Sequence, residues 1–307
     1  MNRTSKSNRG LVLINALLVV AALSAVAVVL LRTAETARNR QFYLSEMAQT
    51  AAYLDGFELL LRSQLDLDRS RSGVDHLGEA WAQKNYTVAI DRGTAVGTIR
   101  DLQGLFNLNG LAAGGEGLSE DQFKRLLQEL GVRESLGTEI IAWLSEDGPQ
   151  NHTPYLAQTP HLRPSGGGID LLDQLRLVNG MTPEIFAKLA PMLTAGSAEG
   201  AININTAPRA VLQAVMPEIA PAVIGALIAE RRTQPFDSGD AIDEYLRKVM
   251  TTEEVADFGG IFTTASSWFE ADISVQLGQT RLTRRVVFRR AGVTGKTRVE
   301  YRFTAKQ

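Results

Sequence analysis

Cysteine is absent from the 307 residues, which excludes disulfides and every thiolate ligand or nucleophile. Histidine is scarce: His76, His152 and His161 are the only three, and their separations match no metal-ligand spacing. No Gly-x-Ser-x-Gly segment occurs, so nothing in the sequence supports an enzyme. Gly292 to Thr297 resembles the end of a phosphate-binding loop, but position 290 is Arg290 where the first glycine belongs, and a strand-like run follows. Between Leu11 and Ser72 there is no proline and only one glycine, Gly56. Nothing in that span breaks a helix.

Charge is missing as well over the first third of the same span. Leu11 to Leu31 is a run of twenty-one uncharged residues in which only Asn15 and Ser24 are polar. A helix crosses the hydrocarbon core with about 20 apolar residues, and this run meets that length. Arg3, Lys6 and Arg9 precede it without an acid, and basic flanks stay cytoplasmic. Residues 1–10 are therefore expected on the cytoplasmic side and everything after Arg32 on the far side, although Arg32, Arg38 and Arg40 weaken the asymmetry. A secretory signal peptide has a shorter apolar region of about 7–15 residues. The small-residue triplet Ala25 to Ala27 is embedded in the run and makes a poor cleavage site. Without Arg3, Lys6, Arg9 and Arg32 the exported part has 28 basic and 34 acidic residues, a charge near −6, which argues against nucleic acid as a partner.

Beyond the span the pattern stays helical. Leu44, Met47, Ala48, Ala51 and Leu54 recur at three- and four-residue spacing, giving one helix of about 55–60 residues and about 85 Å. Tyr86 to Asp91 and Ala95 to Asp101 form a hairpin around Arg92-Gly93-Thr94. Leu105 to Gly110 alternates like a strand, and Gly114, Gly115 and Gly117 mark a break. From Ser119 to about Asp257 helices dominate, opened by a capping box of Ser119 and Gln122. Ser145 to Gly168 is a long loop. Thr182-Pro183 and Thr206-Ala207-Pro208 each place a capping hydroxyl before an early-turn proline. Strands return at Phe269 to Leu277, Leu282 to Arg290 and Lys296 to Thr304. The fold class is α+β: a long N-terminal helix on a small antiparallel sheet, with an all-helical domain inserted between the strands. The expected segments are 1–10, 11–32, 33–110, 111–260 and 261–307.

Several stretches carry a resemblance: Arg9-Gly10, Val74 to Trp81, Phe106 to Gly110, Asp173 to Leu177, Gly180 to Thr182 and Ile202 to Ala207. In their order and spacing the chain resembles the K-type minor pseudopilin of the type II secretion system, from Arg9 to about Phe303. The resemblance implies a prepilin peptidase that cuts after Gly10 and methylates Leu11, leaving the apolar run as an anchor. It also implies a Gram-negative inner-membrane protein with its bulk in the periplasm. The implied partners are I- and J-type minor pseudopilins, an inner-membrane assembly platform and secreted cargo. Most pilin-like subunits carry glutamate at the fifth residue after the cut; here it is Asn15, as K-type subunits lack that glutamate. An unpaired carboxylate in lipid costs a few kcal/mol, so a tip subunit gains by its absence. The family often binds calcium in an acidic loop. The matching segment offers only Glu146 and Asp147, with Asn151 as an extra oxygen, against the six to eight that calcium takes. They are weak candidates, and no other cofactor is expected.

The main rival comes from Ile202 to Phe236, which is laid out like a helix-hairpin-helix DNA-binding module and would suit a membrane-anchored protein of a competence-type uptake system. Its turn, Pro217 to Pro221, has no glycine, carries Glu218 and includes two prolines without an N–H. The phosphate-binding chemistry is missing. Nine basic residues and one acid follow from Arg281 onward. They suit a solvated face that discourages edge pairing, or a contact with an acidic partner.

Overall fold

The computed structural model describes residues 7–82, 85–112, 119–196, 201–249, 260–291 and 296–306. The glycine break at Gly114 to Gly117 and the turn at Gly292 to Gly295 lie outside the described residues. Helix α1, Ser7–Arg71, runs 65 residues, about 98 Å, as its lack of proline requires. Its buried ridge starts at Glu46 and continues through Thr50, Leu54, Phe57, Leu61 and Leu65. Spacings of three and four keep these on one face. The stripe expected from Leu44 is shifted: Leu44 and Ala48 are exposed, because the sheet reaches no farther along α1 than Glu46.

After α1 a strap from Ser72 to Ala82 inserts Trp81 into the core. Strand β1, Tyr86–Ile90, and β2, Gly93–Asp101, form the expected hairpin. The turn is tighter than read from the sequence, with only Asp91 and Arg92 between the strands and Arg92 at φ +60°. Leu105 to Gly110 is mostly not strand. Only β3, Phe106–Asn107, is extended, and Leu108–Leu111 winds into a 3-10 turn capped by Asn107.

The helical block follows. It contains α2 (Glu120–Glu129), α3 (Glu134–Leu144), a single turn α4 (Thr153–Leu156) inside the long loop, and α5 (Pro183–Leu189). Next come β4 (Leu193–Thr194), which pairs in parallel with β3, and β5 (Ile202–Asn203). Then follow α6 (Arg209–Val215), α7 (Pro221–Thr233) and α8 (Gly239–Val249). The Ser119–Gln122 capping box is present, and Thr182 accepts from Ile185 N as expected. Thr206 does not cap α6: the cap position is Pro208, and the Thr206 hydroxyl turns to Asp101.

The chain returns through β6 (Phe262–Thr263, parallel to β5), β7 (Trp268–Leu277), β8 (Thr280–Arg290) and β9 (Thr297–Lys306). The sheet order is β1-β2-β7-β8-β9, antiparallel throughout. On β7, Phe269, Ala271, Ile273, Val275 and Leu277 are buried. Helix α1 lies so close to β2 that a Cβ at Gly97 would stand 2.5 Å from Phe57 Cε1. There are two main cores: one joins α1 to the sheet, and the other, from Phe106 to Leu246, fills the helical block. Full burial stabilises each large apolar side chain by about 2 kcal/mol, so Leu54, Phe57, Leu61 and Leu65 form a strong seam.

Candidate functional site

Among the described residues no constellation of nucleophile and base stands out; what they present is an exposed helix and a body held by charge. Every residue of α1 from Leu11 to Ser45 is exposed. Its apolar run, about 32 Å long, matches the bilayer core and is long and apolar enough to cross it. An apolar surface of this extent marks a membrane or partner contact. Gly10 and Leu11 fall on the helix backbone, and Asn15 sits one turn on with no protein neighbour covering it. Arg32, Arg38 and Arg40 are exposed just past the run.

From Glu46 onward α1 is fixed to the sheet by ion pairs as well as apolar packing. Thr280 Oγ1 donates to Glu46 at 2.9 Å. Arg284, almost buried, pairs with Asp55 at 2.7 Å and Glu58 at 2.8 Å, and Arg302 reaches Glu58 at 3.3 Å. Burial alone would lower the Arg284 guanidinium, but its bonds to Asp55 and Glu58 hold it above its usual value. On the opposite face Arg285 pairs with its cross-strand neighbour Asp272 at 3.0 Å and reaches Asp173 of the helical block at 3.1 Å, beside a groove of about 670 Å³. Four of the nine basic residues expected to face solvent or a partner are ion-paired within the chain: Arg284, Arg285, Arg290 and Arg302. The sequence conceals their acidic partners because these lie up to 244 positions away (Arg302 to Glu58, 302 − 58).

The helical block is joined to the body by a buried polar junction. Asp101, at the end of β2, accepts from Thr206 Oγ1 (2.6 Å), Ser266 Oγ (2.7 Å), Asn203 Nδ2 (3.2 Å) and Gln103 N (2.8 Å). Burial pushes its carboxyl up to about 6, against the pull of the two hydroxyl bonds. Asn203 also donates to Asp75 O at 3.0 Å, and Ser266 N donates to Asp75 Oδ2 at 2.7 Å. Arg290 donates to Asp75 Oδ1 and, at 2.7 Å, to Ser266 O.

The stretches singled out in the sequence prove to be backbone clamps. Asn109 donates to Ile169 O and Gly196 O, both at 2.9 Å, and accepts from Ile169 N at 2.8 Å. Asn205 exchanges two 2.9 Å bonds with the Phe236 backbone. Val74 to Trp81 is the strap itself. Asp75, Asp101 and Arg290 were missed as a set, since buried charges at such separations leave no periodic signal. The only local hint was the Asn203-x-Asn205-Thr206 pattern, whose polar side chains suit buried turns.

The helix-hairpin-helix resemblance holds in shape: α6 and α7 flank the Pro217–Pro221 turn. The chemistry does not follow. Arg231 is 7% exposed and donates to Ile204 O and, at 2.7 Å, to Ala207 O, so it cannot hold phosphate. Burial and neighbouring Arg232 bring it down to about 10. Glu218 is exposed at the turn.

Glu146 and Asp147 are exposed just beyond α3, and among the described residues no third carboxylate converges on them. Two carboxylates fall short of a calcium coordination shell. Asn151 Oδ1 accepts from Thr153 N at 3.1 Å. His76 Nδ1 accepts from Gly78 N, while His152 and His161 are exposed.

Two family models match this chain, both described as type II secretion system (T2SS), protein K, over residues 104–198 and 202–250. Type II secretion system protein K of Pseudomonas aeruginosa is 29% identical over 96% of this chain and 92% of its own length. The Klebsiella pneumoniae protein of the same name is 26% identical over 93% and 94%. The fold is shared with a chain in the crystal structure of the GspK-GspI-GspJ complex from enterotoxigenic Escherichia coli. That likeness has a TM-score of 0.72 at 22% identity and covers 87% of this chain and 100% of that one. With its exposed anchor helix, split antiparallel sheet and inserted helical block, the chain matches type II secretion system protein K over nearly its whole length, and these matches support a minor pseudopilin.

Proposed function

We propose that this chain caps the pseudopilus as its K-type tip subunit, starting assembly with I- and J-type minor pseudopilins and meeting secreted cargo there. The observation that carries the reading is the attachment of the helical block beside the C-terminal end of α1, the end away from the apolar run. Asp75, just past α1, is bonded to Asn203 and Ser266 at the roots of that block. A subunit carrying such a block at its outer end leaves no room for another stacked above it. Asn15 supports the same reading, because a subunit with no neighbour's amine above it has no use for a carboxylate in lipid.

In this reading a prepilin peptidase cuts after Gly10 and methylates Leu11. The first ten residues face the cytoplasm, α1 spans the inner membrane against the assembly platform, and the body is periplasmic. The role is structural and involves no catalysis. Residues 1–10 are the leader, 11–32 the span, and 33–110 with 261–307 the pilin-like body. The inserted domain, 111–260 by the sequence pattern, begins nearer Gly104, since Phe106 and Leu108 pack in the helical core. The test is mass spectrometry of the membrane-extracted protein together with its copurification. Methylated Leu11 as first residue and recovery of I- and J-type partners are expected. An intact Met1 start in cells containing the peptidase would sink the reading.

A further inference from the structure

Asp68 lies on the last turn of α1, against the strap from Ser72 to Ala82. The strap brings Asp75 and Glu79 to it, so that three carboxylates offer oxygens within 4.8 Å of one another. One buried cation, Arg290, pairs with two of them, Asp68 and Asp75. Arg290, 1% exposed, is bonded to Asp75, and its Nη1 stands 3.5 Å from Asp68 Oδ2. Neither Arg290 Nη1 nor Asp68 Oδ2 has a hydrogen-bond partner, although both are buried. Buried polar atoms are almost always bonded, so a contact this long leaves Asp68 only weakly compensated by Arg290.

A divalent cation fits poorly. Both Asp75 oxygens are taken, by Arg290 and by Ser266 N. Glu79 Oε2 accepts from His76 N at 3.0 Å and Trp81 Nε1 at 2.7 Å. The guanidinium already occupies the positive position. A proton fits well: on Asp68 it relieves the repulsion of three carboxylates around one arginine and supplies a donor toward Glu79. Tyr86 on β1 also faces Asp68, His76 on the strap stands 3.8 Å from Glu79, and Asp66 and Arg69 lie beside Asp68 in the sequence of α1. Asp66 is engaged by Thr297 N at 2.8 Å.

We propose that Asp68, Asp75 and Glu79 form a proton-operated latch, in which one proton shared by Asp68 with the strap carboxylates keeps the strap docked. Burial, then Glu79 and Asp75, push the Asp68 carboxyl up to about 7, and Arg290 only partly opposes them. The folded state therefore binds this proton more tightly than the unfolded chain. The latch gains strength as pH falls from about 7 and is lost as pH rises through that value. The consequence reaches beyond the strap. Trp81 packs edge-on to Phe269 at 5.1 Å, and Asp75 N donates to Thr264 O at 2.9 Å beside the return from the helical block. Releasing the strap loosens the joint that holds the block to the body, so the rigidity of that joint follows the pH of the medium around it.

The test is hydrogen–deuterium exchange of the strap in the full chain in detergent micelles, corrected for intrinsic exchange, from pH 5.5 to 8.5. Wild-type protection should fall above about pH 7, by up to about tenfold per unit for one linked proton. Asp68→Asn, which keeps the neutral state, should stay protected with no midpoint. Should that variant fail to fold, Glu79→Gln keeps its oxygen for His76 N and Trp81 Nε1 and should move the midpoint to lower pH. A flat wild-type profile, a wild-type slope in Asp68→Asn, or an unmoved midpoint in Glu79→Gln would overturn the latch. Restoration of protection at pH 8.5 by millimolar calcium, reversed by chelator, would overturn it too, by showing a cation site instead.

Discussion

Replacing Arg284 by methionine removes the main cation fixing the centre of α1 to the sheet while keeping most of the side chain's apolar stem. Arg284 is almost buried and so is Glu58, whereas Asp55 is largely exposed. The exposed pair with Asp55 is worth under about 1 kcal/mol. The buried pair dominates, because its loss leaves Glu58 charged in a desolvated site. Breaking one partner of a buried pair costs about 3–5 kcal/mol. Arg302 still reaches Glu58 at 3.3 Å, so the lower end, about 3 kcal/mol, applies. A second variant separates mechanism from mere damage: Arg284→Met with Glu58→Leu removes both charges and should recover most of the loss. The assay is denaturant unfolding of the full chain in micelles, followed by the fluorescence of Trp81 and Trp268, which sit in or beside the α1–sheet core. A single-variant loss below about 1 kcal/mol, or a double variant no better than the single, would refute the idea that ion pairing clamps the helix.

Gly97→Val should cost about 2 kcal/mol or more, read as a lowered unfolding midpoint, because its Cβ would stand 2.5 Å from Phe57 and overpacking of a tight seam forces shifts. Asn109→Ala should destabilise the helical block by about 2 kcal/mol, measured by exchange of its amides, since Ile169 N and Gly196 O lose their bonds to it and Ile169 O keeps only that from Gly196 N. Asp101 is raised to about 6 by burial, so its contribution to stability grows as pH falls from about 7 toward 4. The stability gap between wild type and Asp101→Asn, from unfolding midpoints at pH 7.5 and 5, should therefore change in favour of wild type at the lower pH. Asn15→Glu places a carboxylate in lipid at a cost of a few kcal/mol at most. Quantitative blotting of sheared pseudopili should show equal or weaker incorporation, and a gain would contradict the tip assignment.

The periodic features were readable from the sequence and the conditional ones were not. The anchor, the uninterrupted α1, the Ser119 cap and the buried alternation of β7 each follow from local chemistry repeated at a fixed spacing. The misread β1–β2 turn shows the limit: Gly93 looks like a turn residue, yet it lies in the strand because Gln276 of β7 approaches its backbone too closely for a Cβ. Thr206 before Pro208 carries a capping signature, but the buried Asp101 carboxylate competes for its hydroxyl and wins at 2.6 Å. The basic C-terminal strands read as a charged face only while their partners on α1 are out of view. In each case a tertiary neighbour far along the chain decided between two locally reasonable outcomes.

The central claim, that this subunit ends the filament rather than building it, is tested most directly by immunogold labelling of overproduced pseudopili with antibody to the helical block. Label confined to one end of each filament is the expected result. Label spaced along the shaft would contradict the capping role, whatever the state of Asn15 or the processing of Leu11.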